Sequence, residues 1–93
     1  MNVYVAFYWT NIKNGVCGID KVTRFDASDY SCQVAGEVKD FDPTQYIEKK
    51  DAKRMDRYTQ FSVAAAKMAI EDSGLDLEKV DLNRFGVITG SGI

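Results

Sequence analysis

Three groups of residues in this chain have types and spacing that chemistry could use. The first is Gly90-Ser91-Gly92, which follows an apolar run and could belong to a phosphate-cradling turn or a nucleophile elbow. The full fingerprints need a further glycine leading into a helix, or Gly-x-Ser-x-Gly, so the plainer reading is a tight turn after a strand. The second is the pair Cys17 and Cys32, which lack CxxC spacing for zinc or redox work and are too few for a disulfide scaffold. Among 93 residues there is no histidine. That excludes Ser-His-Asp and Cys-His catalysis within this chain, and every metal site that needs imidazole. With no base to raise its thiolate fraction, each cysteine reads as a reduced packing thiol, as expected in the cytoplasm.

The third group is Lys49-Lys50-Asp51-Ala52-Lys53-Arg54, part of a run of five cations that ends at Arg57. On a helix Lys50, Lys53 and Arg54 fall at i, i+3 and i+4 and share one face, while Asp51 points away. One reading is a solvated face with Asp51 and Asp56 as local partners. The other is docking of an acidic partner or a phosphate, with charge steering the encounter.

The elements that must carry these groups can be read from periodicity. Val5, Tyr8, Trp9 and Ile12 have helical spacing, and Gly15 sits where a left-handed cap would end a helix near Asn14. Val3 to Trp9 is also rich in β-branched and aromatic residues, which leaves a strand open at that start. Val16 to Ser31 sustains no period and reads as a long ordered loop. Cys32 to Val38 alternates as a short edge strand weakened by Gly36. Asp42-Pro43 pairs an N-cap acceptor with the helical position where proline is tolerated, so a short turn through Tyr46 and Ile47 follows. The main helix is expected from about Lys50 to Ser73, centrally packed through Tyr58, Phe61, Ala65, Met68 and Ala69, with Gly74 just beyond it. Ala64-Ala65-Ala66 gives it a flat face that lets another backbone approach. A helical turn at Leu77 to Val80 then leads to a buried strand at Phe85 to Gly90. A helix feeding an apolar strand is half of a β/α unit, whose neighbouring strands are hard to find in this chain.

Composition bounds the rest. With 45% hydrophobic and 28% charged residues and a formal net charge of -2, the chain is a small globular domain with no surplus of cations for tracking nucleic acid. The longest apolar run, Val3 to Trp9, is too short to span a membrane and lacks signal-peptide flanks.

Four blocks taken in order carry a family resemblance: Arg24-Phe25-Asp26, Ala35-Gly36-Glu37-Val38-Lys39-Asp40-Phe41-Asp42-Pro43, Arg54-Met55-Asp56-Arg57-Tyr58-Thr59-Gln60-Phe61, and Gly86-Val87-Ile88-Thr89-Gly90-Ser91-Gly92-Ile93. From about Trp9 to Ile93 the chain resembles the N-terminal part of the β-ketoacyl-[acyl-carrier-protein] synthase II family, condensing enzymes of the thiolase superfamily. Met1 to Tyr8 does not resemble the family's glycine-rich first strand, which looks missing or replaced.

The resemblance implies an α/β fold: residues 1–93 form a single partial domain, an N-terminal fragment of a thiolase-like layered αβαβα fold, mainly helical with short strands. It implies a cytoplasmic homodimer that elongates fatty acids by decarboxylative Claisen condensation of malonyl-carrier protein with an acyl chain. The family's nucleophilic cysteine, catalytic histidines and lysine lie beyond the position matching Ile93, so the resemblance implies no catalytic residue here, and Cys17 is not the nucleophile. It assigns Lys50, Lys53 and Arg54 to docking of the acidic acyl carrier protein. The chain needs no metal and no cofactor of its own, because the phosphopantetheine arm is carried by that partner. A non-catalytic docking module and a non-functional truncated product stay open as alternatives.

Overall fold

The computed structural model describes residues 3–92, so the start of the segment that departs from the family and the last residue of the fourth block lie outside the described residues. The chain divides into two compact units, Met1–Phe41 and Asp42–Ile93.

In the first unit, the apolar start is helical. Helix α1 spans Val3–Lys13. The N–H of Val16 donates to the Asn11 carbonyl at 3.0 Å and that of Gly15 to the Ile12 carbonyl at 3.2 Å, while Gly15 has φ +66°. This is the paired-bond, left-handed ending that satisfies the last carbonyls of a helix, and it stops α1 where the glycine predicts. The stripe Val5, Tyr8, Trp9 and Ile12 nevertheless stays more than half exposed.

Part of the segment expected as a loop is a strand. Strand β1, Ile19–Lys21, pairs antiparallel with β2, Val34–Gly36, in the register Ile19 to Gly36 and Lys21 to Val34. Three residues are too few to show a period, and pairing supplies what periodicity could not. The second strand is shorter than the Cys32 to Val38 span expected, and every residue of both strands is exposed. The Glu37 carboxylate, just past β2, ties down the chain beyond β1: it accepts from the Thr23 N–H at 3.0 Å, the Thr23 hydroxyl at 2.7 Å and the Arg24 N–H at 3.3 Å. These bonds hold the Glu37 carboxyl below its ordinary pKa. Between the strands, Asp26 accepts from the Ser28 N–H at 3.0 Å and the Gln33 amide donates to the Ser28 and Tyr30 carbonyls at 3.2 Å. The rings of Phe25 and Tyr30 meet edge to face, 5.9 Å between centroids.

The second unit opens as the Asp42-Pro43 pair predicts, with a 3-10 turn over Pro43–Gln45 capped by Asp42. The turn is fastened to the main helix by two contacts of Tyr46: its hydroxyl donates to the Met68 sulfur at 3.7 Å, and its carbonyl accepts from the Lys67 ammonium.

The single helix expected from Lys50 to Ser73 is two. Helix α2 covers Lys49–Ala52, and α3 covers Arg57–Ser73. Asp56 causes the division: its backbone is extended, at φ -71° and ψ 170°, and its carboxylate accepts from the Thr59 N–H at 2.8 Å, starting a new helix. The Gln60 amide reaches back to the Ala52 carbonyl at 2.9 Å and the Met55 carbonyl at 3.4 Å. Helical spacing cannot register such a break, because Lys53 keeps right-handed backbone at φ -67° and ψ -20°.

Helix α3 ends at Gly74, in left-handed backbone at φ +64°. Of the alanine triplet only Ala64 is buried, at 2% exposure, while Ala65 faces solvent. The central packing expected of this helix is therefore not realised among the described residues. Downstream, Asp76 and Asp81 cap 3-10 turns at Leu77–Lys79 and Leu82–Arg84. The expected strand at Phe85 to Gly90 and the tight turn at Gly90-Ser91-Gly92 are not formed. Over 85–92 neither a strand nor a turn is assigned among the described residues, and Ile88 is 98% exposed. A strand needs a neighbour to satisfy its backbone, and among the described residues the one sheet is β1 with β2.

Among the described residues the buried hydrophobic ones are Ala27, Ile47, Ala52 and Ala64, of which Ile47 alone is large. Caps, turns and side-chain clamps therefore carry much of the local order. No helix among the described residues is long and apolar enough to cross a membrane.

Two predictions follow from the caps. Gly74→Ala forces an L side chain into left-handed backbone and lowers stability by about 1 kcal/mol in urea titration; an unchanged midpoint contradicts the assigned ending of α3. The Asp56 carboxyl is held below its ordinary value, chiefly by the Thr59 side chain and then its N–H. Its stabilisation is thus complete above the unfolded-state carboxylate pKa of about 3.9 and is lost as pH falls through the lower folded value. Asp56→Asn keeps a cap without that titration, so its loss of helical circular dichroism in acid is shallower than that of the natural chain. Superimposable acid profiles contradict the role given to Asp56.

Candidate functional site

The break between α2 and α3 shapes a basic surface. Ala52 is turned inward, only 5% exposed, which anchors α2 and leaves its other residues at the surface. The N–H of Arg54 donates to the Asp51 carbonyl at 2.9 Å and that of Met55 to the Ala52 carbonyl at 3.3 Å, so the chain tightens as it leaves α2. A concavity of about 550 Å³ results, lined by Glu48, Lys49, Lys50, Lys53 and Arg54.

Lys50, Lys53 and Arg54, expected on one face of a continuous helix, are thus brought together although the helix stops between them. Lys50 lies in α2, Lys53 caps it and Arg54 follows in the turn. Asp51 is not part of the lining, as its position predicts. Two lining residues were not assigned from sequence. Lys49 belonged to the recognised cation run but not to the i, i+3, i+4 set; Glu48 has no periodic signal at all. Arg57, the fifth cation of the run, is engaged elsewhere, with its guanidinium 4.9 Å from the centre of the Phe61 ring.

The electrostatics of the concavity are one-sided. Four cations face one carboxylate, a net charge of +3, and none of the five forms an ion pair among the described residues. Asp51 and Asp56 do not neutralise the cluster, and Asp56 is committed to capping α3. An exposed, uncompensated cation group attracts anions from a distance set by the Debye length, about 8 Å at physiological salt.

The other sequence motifs do not assemble a reaction centre. Gly90 and Ser91 line a second groove of about 400 Å³ with Tyr58, Phe61, Ser62, Ala65 and Thr89. The Tyr58 hydroxyl lies 3.3 Å from the Thr89 hydroxyl. That lining holds no carboxylate, lysine amine or imidazole to accept a proton from Ser91. The two thiols are exposed rather than packed, which corrects the sequence expectation. Each makes one weak local contact, Cys17 to the Ile19 carbonyl at 3.7 Å and Cys32 to the Val34 carbonyl at 3.5 Å. Exposure follows from the short strands beside them, which bury nothing on either side.

Comparison with known proteins places these features in a family. Residues 2–93 match the model of the beta-ketoacyl synthase N-terminal domain. The chain is 48% identical over 86 residues to 3-oxoacyl-[acyl-carrier-protein] synthase 2 of Synechocystis sp., covering 92% of this chain and 21% of that protein. It is 48% identical over 85 residues to the protein of the same name from Staphylococcus aureus, covering 91% of this chain and 21% of the relative. The chain thus spans about a fifth of the length of the curated relatives it matches. The match embraces both the capped α2–α3 break and the cationic concavity it shapes, and the chain belongs to the β-ketoacyl synthase family, within its N-terminal domain.

Proposed function

We propose that this chain forms the carrier-protein docking part of a 3-oxoacyl-[acyl-carrier-protein] synthase, which elongates fatty acids by decarboxylative Claisen condensation of malonyl-carrier protein with an acyl-carrier protein. The observation that carries the reading is the uncompensated group Lys50, Lys53 and Arg54, gathered with Lys49 in one concavity, in a chain 48% identical to proteins of that name.

In this reading the cations meet the acidic helix of the acyl carrier protein. Long-range attraction speeds encounter, and the fixed spacing of the three charges sets the angle at which the partner's phosphopantetheine arm approaches. The condensation itself needs a nucleophilic cysteine and histidines that this chain does not supply: it has no histidine, and its two cysteines make only local contacts. The proposed whole enzyme is a cytoplasmic homodimer with a layered αβαβα architecture, of which residues 1–93 form one partial domain. The exposed apolar stripe of α1 and the exposed side chains of Val87 and Ile88 are the surfaces such layers cover.

Two measurements test this. Binding of fluorescently labelled acyl carrier protein to the chain weakens with rising salt, and Lys50→Glu, Lys53→Glu and Arg54→Glu combined reduce affinity by about tenfold or more, since each exposed charge contributes a few tenths to 1 kcal/mol and reversal counts it twice. Unchanged affinity rejects docking at this surface. Incubated with malonyl- and acyl-carrier protein, the chain by itself yields no 3-oxoacyl product; sustained turnover contradicts the assignment of the chemistry to residues outside it.

A further inference from the structure

Glu48 is an unexplained member of the cationic concavity. It occupies the N-cap position of α2, with extended backbone at φ -52° and ψ 134°, yet its side chain makes no capping bond. It lines the concavity beside Lys49, Lys50, Lys53 and Arg54 without an ion pair to any of them among the described residues. A carboxylate that neither caps its helix nor neutralises a neighbouring cation is available to a ligand.

We propose that Glu48 is the specificity-determining residue of this surface, disfavouring uniformly anionic ligands and favouring an acidic protein face that presents a cation, or a gap in its carboxylates, opposite Glu48. The inference rests on the docking reading and refines it. A surface carrying only the four cations binds any polyanion, because the gain is set by charge density alone. One fixed carboxylate within the same concavity repels a ligand whose negative charge is continuous, such as inorganic polyphosphate. It leaves unharmed a protein face whose charges are discrete and patterned. Selectivity is a difference of affinities, and a repulsive element raises it even when it adds nothing to the favoured complex.

The test compares two probes, inorganic polyphosphate and acyl carrier protein, on the natural chain, Glu48→Gln and Glu48→Lys at one fixed salt concentration. Glu48→Gln is nearly isosteric and removes no hydrogen bond, and circular dichroism of each variant checks that helix content is retained. The ratio of polyphosphate affinity to carrier-protein affinity rises about two- to fivefold in Glu48→Gln, the range of a single exposed charge interaction, and further in Glu48→Lys. An unchanged ratio, whether both affinities rise together or neither moves, overturns the proposal by reducing Glu48 to bulk charge. If the natural chain does not bind acyl carrier protein at all, the docking reading fails by itself. Polyphosphate alone then decides for Glu48: tightening in Glu48→Gln that exceeds that in Asp51→Asn, which removes the same charge outside the lining, supports its exclusion role, and equal tightening or none overturns it.

Discussion

The capping of α3 by Asp56 is the local constraint on which the rest of the second unit depends. Its carboxylate draws the Thr59 N–H to 2.8 Å, and the Gln60 amide folds back to the Ala52 and Met55 carbonyls. Together these bonds convert what composition would make one long helix into two, and the tightened residues between them gather Lys53 and Arg54 beside Lys49 and Lys50. A continuous helix would still set Lys50, Lys53 and Arg54 on one face, since i, i+3 and i+4 share a side; with the break they line a concavity in which Glu48 and Lys49 join them.

The same unit shows how local hydrogen bonding takes over where apolar burial is sparse. Aspartates start four of the five elements of this unit in the same way, with Asp42, Asp56, Asp76 and Asp81 each accepting from a backbone N–H two or three residues on. Glu37 plays a related part in the first unit by accepting from Thr23 and Arg24. Large side chains contribute less: Phe7, Tyr8, Trp9, Phe25 and Val87 are all more than half exposed. Helices and a hairpin held by their own ends are what hydrogen bonding supplies where so few apolar side chains are buried among the described residues.

Punctuation was the most legible feature of the sequence. Gly15, Asp42-Pro43 and Gly74 each mark an end or a start that the structure reproduces, because each has a steric or hydrogen-bonding reason confined to a few residues. Pairing was not legible. Strand β1 arises from its partner fifteen residues away and not from its own three residues. Conversely, Phe85 to Gly90 has strand composition but no partner strand among the described residues with which to express it. Among the candidate site residues, Lys50, Lys53 and Arg54 followed from spacing because the right-handed backbone of Lys53 preserves their side through the break. Glu48 and Lys49 were hidden, since what places them in the concavity is the anchoring of Ala52 and the tightening after Asp51.

The central claim is that the surface from Glu48 to Arg54 is where an acidic carrier protein docks. The most direct measurement is a nitrogen-15 amide spectrum of the labelled chain titrated with unlabelled acyl carrier protein. The account predicts shift changes concentrated at Glu48, Lys49, Lys50, Lys53 and Arg54, diminishing with salt and leaving β1 and β2 undisturbed. Changes centred on the groove of Tyr58, Thr89 and Ser91, or on α1, with the cationic concavity silent, would contradict it.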